Sequence, residues 1–510
     1  MEAFCQKHTE KITGVLSCPD RVLFKGHLPL NYPAAMERFL TSQGLLLKDF
    51  KCFCAQESER VKQHAVTMCK RLDRPYVYLN SFERKEDYVC KLLAAHPVAE
   101  GLICVLATNE ACGSFKLRYG EGRPHLTYSR PKCLCLYYYF LDREFGKMHV
   151  RIQTWFPFTI QVYVNGHEWL CRKLAHHGVA YVSQDNAITW VSDPARAQRF
   201  ANGFVKRPWP RLLEAFGRKV NPLFKDLLAS MSYYWVADQF EYATDVMFKD
   251  RASMKHLYPE LLRHATLCFS AEDVLTFLGR KLNGNFKGEV LTEAKKRQPG
   301  ARVKHRMGEN WIKMYDKFAS VLRIETVINH PYDFRVRRKG IRNGEEVTGW
   351  YPMAKGVANL PRYAEVCAAA NERYLQALAC VDDPSEVLVE LAKLTQPVRK
   401  GKAVHRAINP FSPKDLALFR AVLRGEHTIK GLCNRDIRLQ LYGQHKDTRK
   451  RQRQSAAVSR QLRLLHAHRL IAKIPHSHRW RITQRGMRLL AAILRMHTQE
   501  YPKSALKQVA

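Results

Sequence analysis

The sequence predicts an α+β protein built from several domains, and three observations carry that reading. The chain has 510 residues, enough to bury more core than one domain usually holds. Its composition, 46% hydrophobic and 26% charged, is that of a folded globular chain and not of a disordered one. Along it, stretches with helical periodicity alternate with runs rich in β-branched and aromatic residues.

In chain order, residues 1–100 read as a mixed α/β domain, with helices at 33–45 and 58–71 and a strand at 76–79. Residues 101–205 turn strongly β. The runs 132–141 and 149–164 flank Asp142-Arg143-Glu144-Phe145-Gly146, a turn sequence that predicts a hairpin. Residues 206–380 read as an α+β domain: 233–248 extended, 303–317 and 321–336 an antiparallel pair, and 361–378 a helix. Residues 381–411 are expected to link this part to the last domain, at 412–498, and include Asp382-Asp383-Pro384 and the basic run Arg399-Lys400-Gly401-Lys402.

Charge narrows the partner. There are 84 Lys and Arg against 47 Asp and Glu, a net +37, which self-repels unless a polyanion shares the surface. Nucleic acid is the expected partner, duplex DNA first and RNA second. A membrane is not expected, because the longest apolar run, Leu134 to Leu141, falls far short of the roughly 20 residues of a spanning helix. The N-terminus lacks the basic and apolar regions of a signal peptide, so the fifteen cysteines read as reduced thiols in a cytoplasm. Charge and pattern leave oligomerisation open.

The last domain is predicted to be a winged helix-turn-helix. Ser412-Pro413 starts a helix, Lys430-Gly431 makes a turn, and Asn434 is expected to cap a helix over 435–442. A basic loop, 445–453, then leads to a long helix, 454–470. Two short strands, Lys473-Ile474 and Trp480-Arg481-Ile482, enclose Pro475-His476-Ser477-His478, and a final helix follows. At 100° per residue Val458, Leu462 and Leu465 share one stripe and face the core. The opposite face then carries Arg453, Ala456, Arg460 and Arg463, flanked by Ser459, suited to phosphates or guanine edges. These residues resemble the MarR-like winged-helix domains of bacterial regulators. By that resemblance 454–470 enters the major groove, and His476, His478, Arg479 and Arg481 belong to the wing. Taken whole, the chain resembles a bacterial family described by this C-terminal domain alone, which transfers no activity.

A second constellation lies in 206–380. Read as a strand, 233–248 puts Gln239, Glu241 and Asp245 on one face; read as a helix it puts Asp238, Glu241 and Asp245 on one stripe. Either way two carboxylates converge. The pair at 303–336 adds Glu325, His305, Tyr315, Lys313 and Lys317. Carboxylates can hold Mg²⁺ or Mn²⁺, lysines can neutralise a scissile phosphate, and a tyrosine can be the nucleophile. Glu241, Asp245 and Glu325 are the expected metal ligands. The alternative is a basic groove in which these charges pair and nothing is cut. Tyr315-Asp316-Lys317 with Leu322-Arg323-Ile324-Glu325 resembles the strand pair of rolling-circle replication initiators of plasmids and filamentous phages. That resemblance implies that Glu325 sits at a metal-dependent nicking site and that Tyr315, Tyr332 or Tyr374 attacks the phosphate. The function expected is recognition and processing of DNA, an endonuclease or strand-transfer activity for a mobile element or replicon. The alternative is a non-catalytic regulator or an RNA-bound ribonucleoprotein component.

Two further patterns are weighed. Cys52-Phe53-Cys54 with Cys69, and Cys104, Cys112, Cys133 and Cys135, invite zinc, but Cys-x-Cys is tighter than the usual ligand spacing, so the thiols read as small buried hydrophobes. Tyr137 to Phe140, Trp155, Phe156, Phe158 and Tyr163, with Arg151 and Gln153, could stack unpaired bases, although core packing is the commoner use.

Overall fold

A computed structural model describes residues 1–80, 83–119, 123–280, 289–297, 300–342, 344–381, 390–400, 403–425, 427, 431–445, 447–475 and 477–499. Asp382-Asp383-Pro384 and Gly401-Lys402 of the expected linker, Lys430 of the expected turn and His476 of the expected wing lie outside them. The fold is α+β. The first fifteen strands in chain order open with β1 (Ile12–His27), β2 (Tyr76–Tyr78), β3 (Gly101–Ala111), β4 (Ser114–Arg118) and β5 (His125–Ser129). Next come β6 (Lys132–Asp142), β7 (Gly146–Gln153), β8 (Ile160–Asn165), β9 (Tyr181–Gln184), β10 (Ala187–Val191) and β11 (Tyr234–Phe248). The last four are β12 (Val290–Arg297), β13 (Gly300–Met307), β14 (Asn310–Lys317) and β15 (Val321–Ile328).

These elements form two compact units that cut across the expected sequential boundaries near 100, 205 and 380. One unit is Gly14–Asp245 with Glu325–Ala368; the other is Met1–Thr13, Val246–Ile324 and Ala369–Ala510. Strands β11 and β15 each pass from one unit into the other, so neither unit can be cut out as one stretch of sequence.

The first unit is organised by a sheet in the order β15, β11, β1, β8, β7, β6, β3, β2. Pairing is antiparallel from β1 through β3, and β2 joins β3 in parallel. The predicted hairpin is present: Asp142 Oδ1 accepts from the backbone N–H of Glu144 (2.8 Å) and of Phe145 (2.9 Å), and β6 pairs with β7 from Cys135↔Gln153 to Asp142↔Gly146. The helix Trp209–Val220 brings Trp209 against Phe24 and Phe145, with ring centroids 4.7 and 5.3 Å away. Tyr138, Tyr139, Phe140, Phe156 and Phe158 are all buried, with Arg151 and Gln153. Burying each large apolar side chain contributes about 1.5–3 kcal/mol. The stacking role considered for these aromatics is therefore replaced by packing.

Strand β11 differs from expectation in one respect that matters for function. Residues 233–248 do form a strand, but both of its faces are buried from Phe240 onward, so Glu241 and Asp245 lie inside the unit.

In the second unit β12, β13, β14 and β15 follow one another in the sheet. The expected single strand 303–317 is two, folded at Gly308 so that His305 faces Ile312 in register. The helices Pro413–Val422, Asn434–Tyr442, Thr448–Ala467 and Gln484–Gln499 enclose a core that includes Leu418, Phe419, Ile437, Val458, Leu462, Leu465, Leu489 and Leu490. Ile471–Lys473 pairs with Trp480–Ile482, and Leu432 adds a bridge to Trp480. The order is thus three helices, a two-stranded sheet and a final helix, the order expected of a winged helix. No helix among the described residues is long and apolar enough to cross a membrane.

Candidate metal centre and nucleic-acid interface

Because β15, β11 and β1 are neighbours, they bring together acidic residues from three distant parts of the chain. Asp20 on β1, Glu241 on β11 and Glu325 on β15 each place a carboxylate oxygen within 4.8 Å of the others. Their exposures are 1%, 5% and 1%. Two oxygens bound to one Mg²⁺ or Mn²⁺ at about 2.1 Å are at most ~4.2 Å apart, so small side-chain rotations would let this set share an ion. Three carboxylates this close and this buried repel one another strongly unless positive charge lies among them.

Two basic side chains lie nearby. His167, 2% exposed, bridges two carboxylates: its Nδ1 is 3.2 Å from Asp20 Oδ1 and its Nε2 is 3.2 Å from Asp245 Oδ2. A neutral imidazole carries one N–H and can donate to only one of the two carboxylates. Asn186 Nδ2 donates to Asp20 Oδ1 at 3.0 Å and so helps fix its rotamer. Arg21, the next residue on β1, lies in the same field. Burial works against its charge, but Tyr163, Glu241 and Asp20 outweigh that and hold the guanidinium more firmly protonated than usual.

The local sequence explains the position of His167. Asn165 accepts from Glu168 N at 3.0 Å and caps the helix Gly166–His176. Gly166 packs so closely on β1 that a Cβ there would lie 2.0 Å from the Pro19 carbonyl oxygen. Only glycine allows that approach, which sets the first turn of the helix beside Asp20.

The expected ligand set is thus partly corrected. Glu241 and Glu325 meet. Asp245 does not join them as a ligand-spaced oxygen but holds the far side of His167, and Asp20 takes the third position. Asp20, His167, Asn186 and Arg21 were missed because each sits in a segment with no motif of its own; the adjacent Asp20-Arg21 pair inside a long strand was the available hint.

The remaining expected residues belong to the second unit. Lys313 Nζ lies 5.9 Å from the Trp311 ring and Lys317 Nζ 5.3 Å from the Phe318 ring, while Tyr315 is half-buried on β14. His305 is not a ligand candidate: it is fully buried, with Nδ1 2.9 Å from Thr292 Oγ1 and Nε2 2.9 Å from the Tyr374 hydroxyl. Burial pushes its pKa down to about 4, so the ring is neutral near pH 7. Tyr374 is equally buried and is removed as a nucleophile, whereas Tyr332, in the first unit, is 53% exposed.

The exposed face of the long C-terminal helix follows the sequence closely. Arg453, Ala456, Arg460 and Arg463 are exposed, and Val458, Leu462 and Leu465 are buried. The helix is longer at its start than expected. It runs Thr448–Ala467 because Asp447 Oδ1 accepts from Arg449 N at 2.8 Å, turning most of the expected basic loop into the first helical turns. Asn434 does not cap its helix. Cys433 occupies that position, and Asn434 Nδ2 instead donates to Ser455 O (2.8 Å) and Ser459 Oγ (2.9 Å), tying the two helices together. Ser459 is therefore engaged internally. Arg479 is partly committed too, donating to Gly431 O at 3.0 Å and lying 3.7 Å from Asp436, while His478 and Arg481 are exposed.

Compared with protein-family models, curated proteins and solved structures, the chain matches none.

Proposed function

We propose that this protein recognises and processes nucleic acid, cutting or transferring a strand for a mobile element or replicon with Mg²⁺ or Mn²⁺. The observation that carries the reading is the buried Asp20, Glu241 and Glu325 set, ligand-spaced within a chain of net charge +37. In this reading the winged helix docks on a duplex through Arg453, Arg460, Arg463 and Arg481, positioning it without the metal. Asp20, Glu241 and Glu325 would hold the ion, which when bound would supply Lewis-acid polarisation of a phosphoryl oxygen. An oxygen nucleophile, water or a tyrosine hydroxyl such as that of Tyr332, forms a bond to phosphorus as the bond to the departing sugar oxygen breaks. The nucleophile's proton passes to a carboxylate or solvent, and the leaving oxygen takes one up. Arg21 is the cation beside the ligands that can offset the growing negative charge, a role first expected of Lys313 and Lys317.

The near-complete burial of all three carboxylates favours a second reading, in which the ion is structural and the chain is a non-catalytic regulator or RNA-bound component. One assay separates the two. Purified protein is incubated with supercoiled DNA and with RNA, with and without Mg²⁺ or Mn²⁺. Metal-dependent strand breaks abolished by Glu325→Gln support the enzyme. Intact strands in every condition, with tight binding retained, leave the binder.

A further inference from the structure

A second cluster of ligand-type side chains lies elsewhere in the first unit. The sulfurs of Cys112, Cys133 and Cys135 all fall within 4.8 Å of one another, and Cys112 Sγ is 3.3 Å from Cys135 Sγ. Cys133 and Cys135 alternate on β6 and so share a face, as the sequence indicates. The third sulfur comes from Cys112, just past the end of β3, the strand that pairs with β6. Cys-x-Cys is too tight to hold zinc by local spacing, but strand pairing supplies what the spacing lacks.

We propose that Cys112, Cys133 and Cys135 hold a zinc ion as three thiolates, clamping the root of the β4–β5 hairpin. Four tetrahedral sulfurs at about 2.3 Å from zinc lie ~3.8 Å from one another, within the range these three already span. The charges also suit a buried site. Arg151 Nη2 lies 3.0 Å from Cys135 Sγ and 3.4 Å from Cys112 Sγ, and its Nε donates to Glu110 Oε2 at 2.9 Å. Lys85 Nζ is 3.3 Å from Glu110 Oε1. Three thiolates and Glu110 against zinc, Arg151 and Lys85 sum to zero, so the loaded cluster leaves no net charge to solvate. N–H···S bonds from the guanidinium are the outer contacts that orient thiolate ligands.

The fourth position is left to solvent. Cys133 is half-exposed and lines a cavity of about 830 Å³ with Lys132, Thr154 and Trp155, so water or a cavity ligand can complete the coordination. The clamp has a mechanical sense. Between Cys112 and Cys133 the chain leaves the main sheet as the β4–β5 hairpin, whose Tyr119 and Tyr128 are 73% and 65% exposed, and it closes where Cys112 N donates to Pro131 O at 2.9 Å. A metal at that root would add to the anchors the hairpin already has, the buried Phe115 and Leu126 and the Ser114 Oγ bond to Phe156 O at 2.9 Å.

The test uses the full chain, isolated without chelators, and measures metal content by mass spectrometry. About one zinc per chain is expected, falling at least roughly tenfold in Cys112→Ser and unchanged in Cys52→Ser, whose thiol is exposed on a separate helix. Because Cys112→Ser could disturb folding, wild-type protein reloaded with Co²⁺ is read as well. Sulfur-to-cobalt charge-transfer bands are expected, and these also exclude the carboxylate cluster as the site. Zinc-free protein that gives no such bands overturns the proposal, as does a Cys112–Cys135 disulfide in the protein as isolated.

Discussion

In the proposed metal site His167 matters as much as the carboxylates that would hold the ion. From its place between Asp20 and Asp245, the ring holds Asp20 in the orientation that faces Glu241 and Glu325. Removing such an outer partner typically lowers metal affinity 10–100-fold. His167→Ala is accordingly expected to weaken Mn²⁺ binding by roughly that factor, measured by calorimetry on folded protein. Unchanged affinity would reduce His167 to a packing residue. Glu325→Gln keeps shape and removes charge, so Mn²⁺ binding should fall further while duplex affinity stays within about twofold. His305 offers a contrasting residue-level test. Its folded pKa, about 4, lies below the unfolded value of 6.5, so the unfolded chain takes up the proton first. The stability it contributes is complete above pH 6.5 and is lost as pH falls toward 4, by up to about 3 kcal/mol. His305→Gln should flatten that part of the profile in urea unfolding at pH 7 and pH 4.5. An unaltered slope would mean that the ring is not held neutral.

At the scale of elements, the helix Thr448–Ala467 is set by one cap and two faces. Asp447→Ala removes the acceptor for its first N–H groups and should destabilise the domain by about 1 kcal/mol, read as a lower denaturation midpoint. The exposed face should bear on binding alone. Replacing Arg460 and Arg463 together by Ala is expected to weaken duplex binding at low salt. It should also make the log–log salt slope shallower by about 1.8, or ~0.9 for each lost phosphate contact. Anisotropy titrations over a range of salt concentrations measure both quantities. An unchanged slope would place the nucleic acid on another surface. This helix was readable because its apolar stripe, its arginines and its following strand pair are all local features. Its starting point was misplaced because a charged run reads as a loop until the Asp447 cap is recognised.

At the scale of the whole molecule, two features act together: a strongly cationic chain and a fold whose units share strands. The charge of +37 predicts that affinity for any polyanion falls steeply with salt, and cleavage, if it occurs, should track occupancy at sub-saturating duplex. The shared strands matter for stability. Since β11 and β15 each run through both units, denaturation followed by far-UV circular dichroism and by tryptophan fluorescence should give coincident midpoints. Separate transitions would show that the units unfold independently.

The sequence alone determined what is local or compositional. Helical periodicity, the Asp142–Gly146 turn, the extended 233–248 segment, the order of the C-terminal helices and strands and the net charge all follow from near neighbours or from totals. It also pointed to Glu241 and Glu325, because alternation along a strand puts a carboxylate on a definite face. Only the tertiary structure decided what those carboxylates would meet. Asp20 reaches them because β1 lies between β11 and β8, and His167 reaches Asp20 because Gly166 lets a helix begin against Pro19. The three thiols likewise gather through the pairing of β3 with β6. Strand order across long loops is fixed by the packing of the whole sheet, which no single segment encodes. A residue whose partner lies hundreds of positions away therefore carries no mark of that partner in its own surroundings.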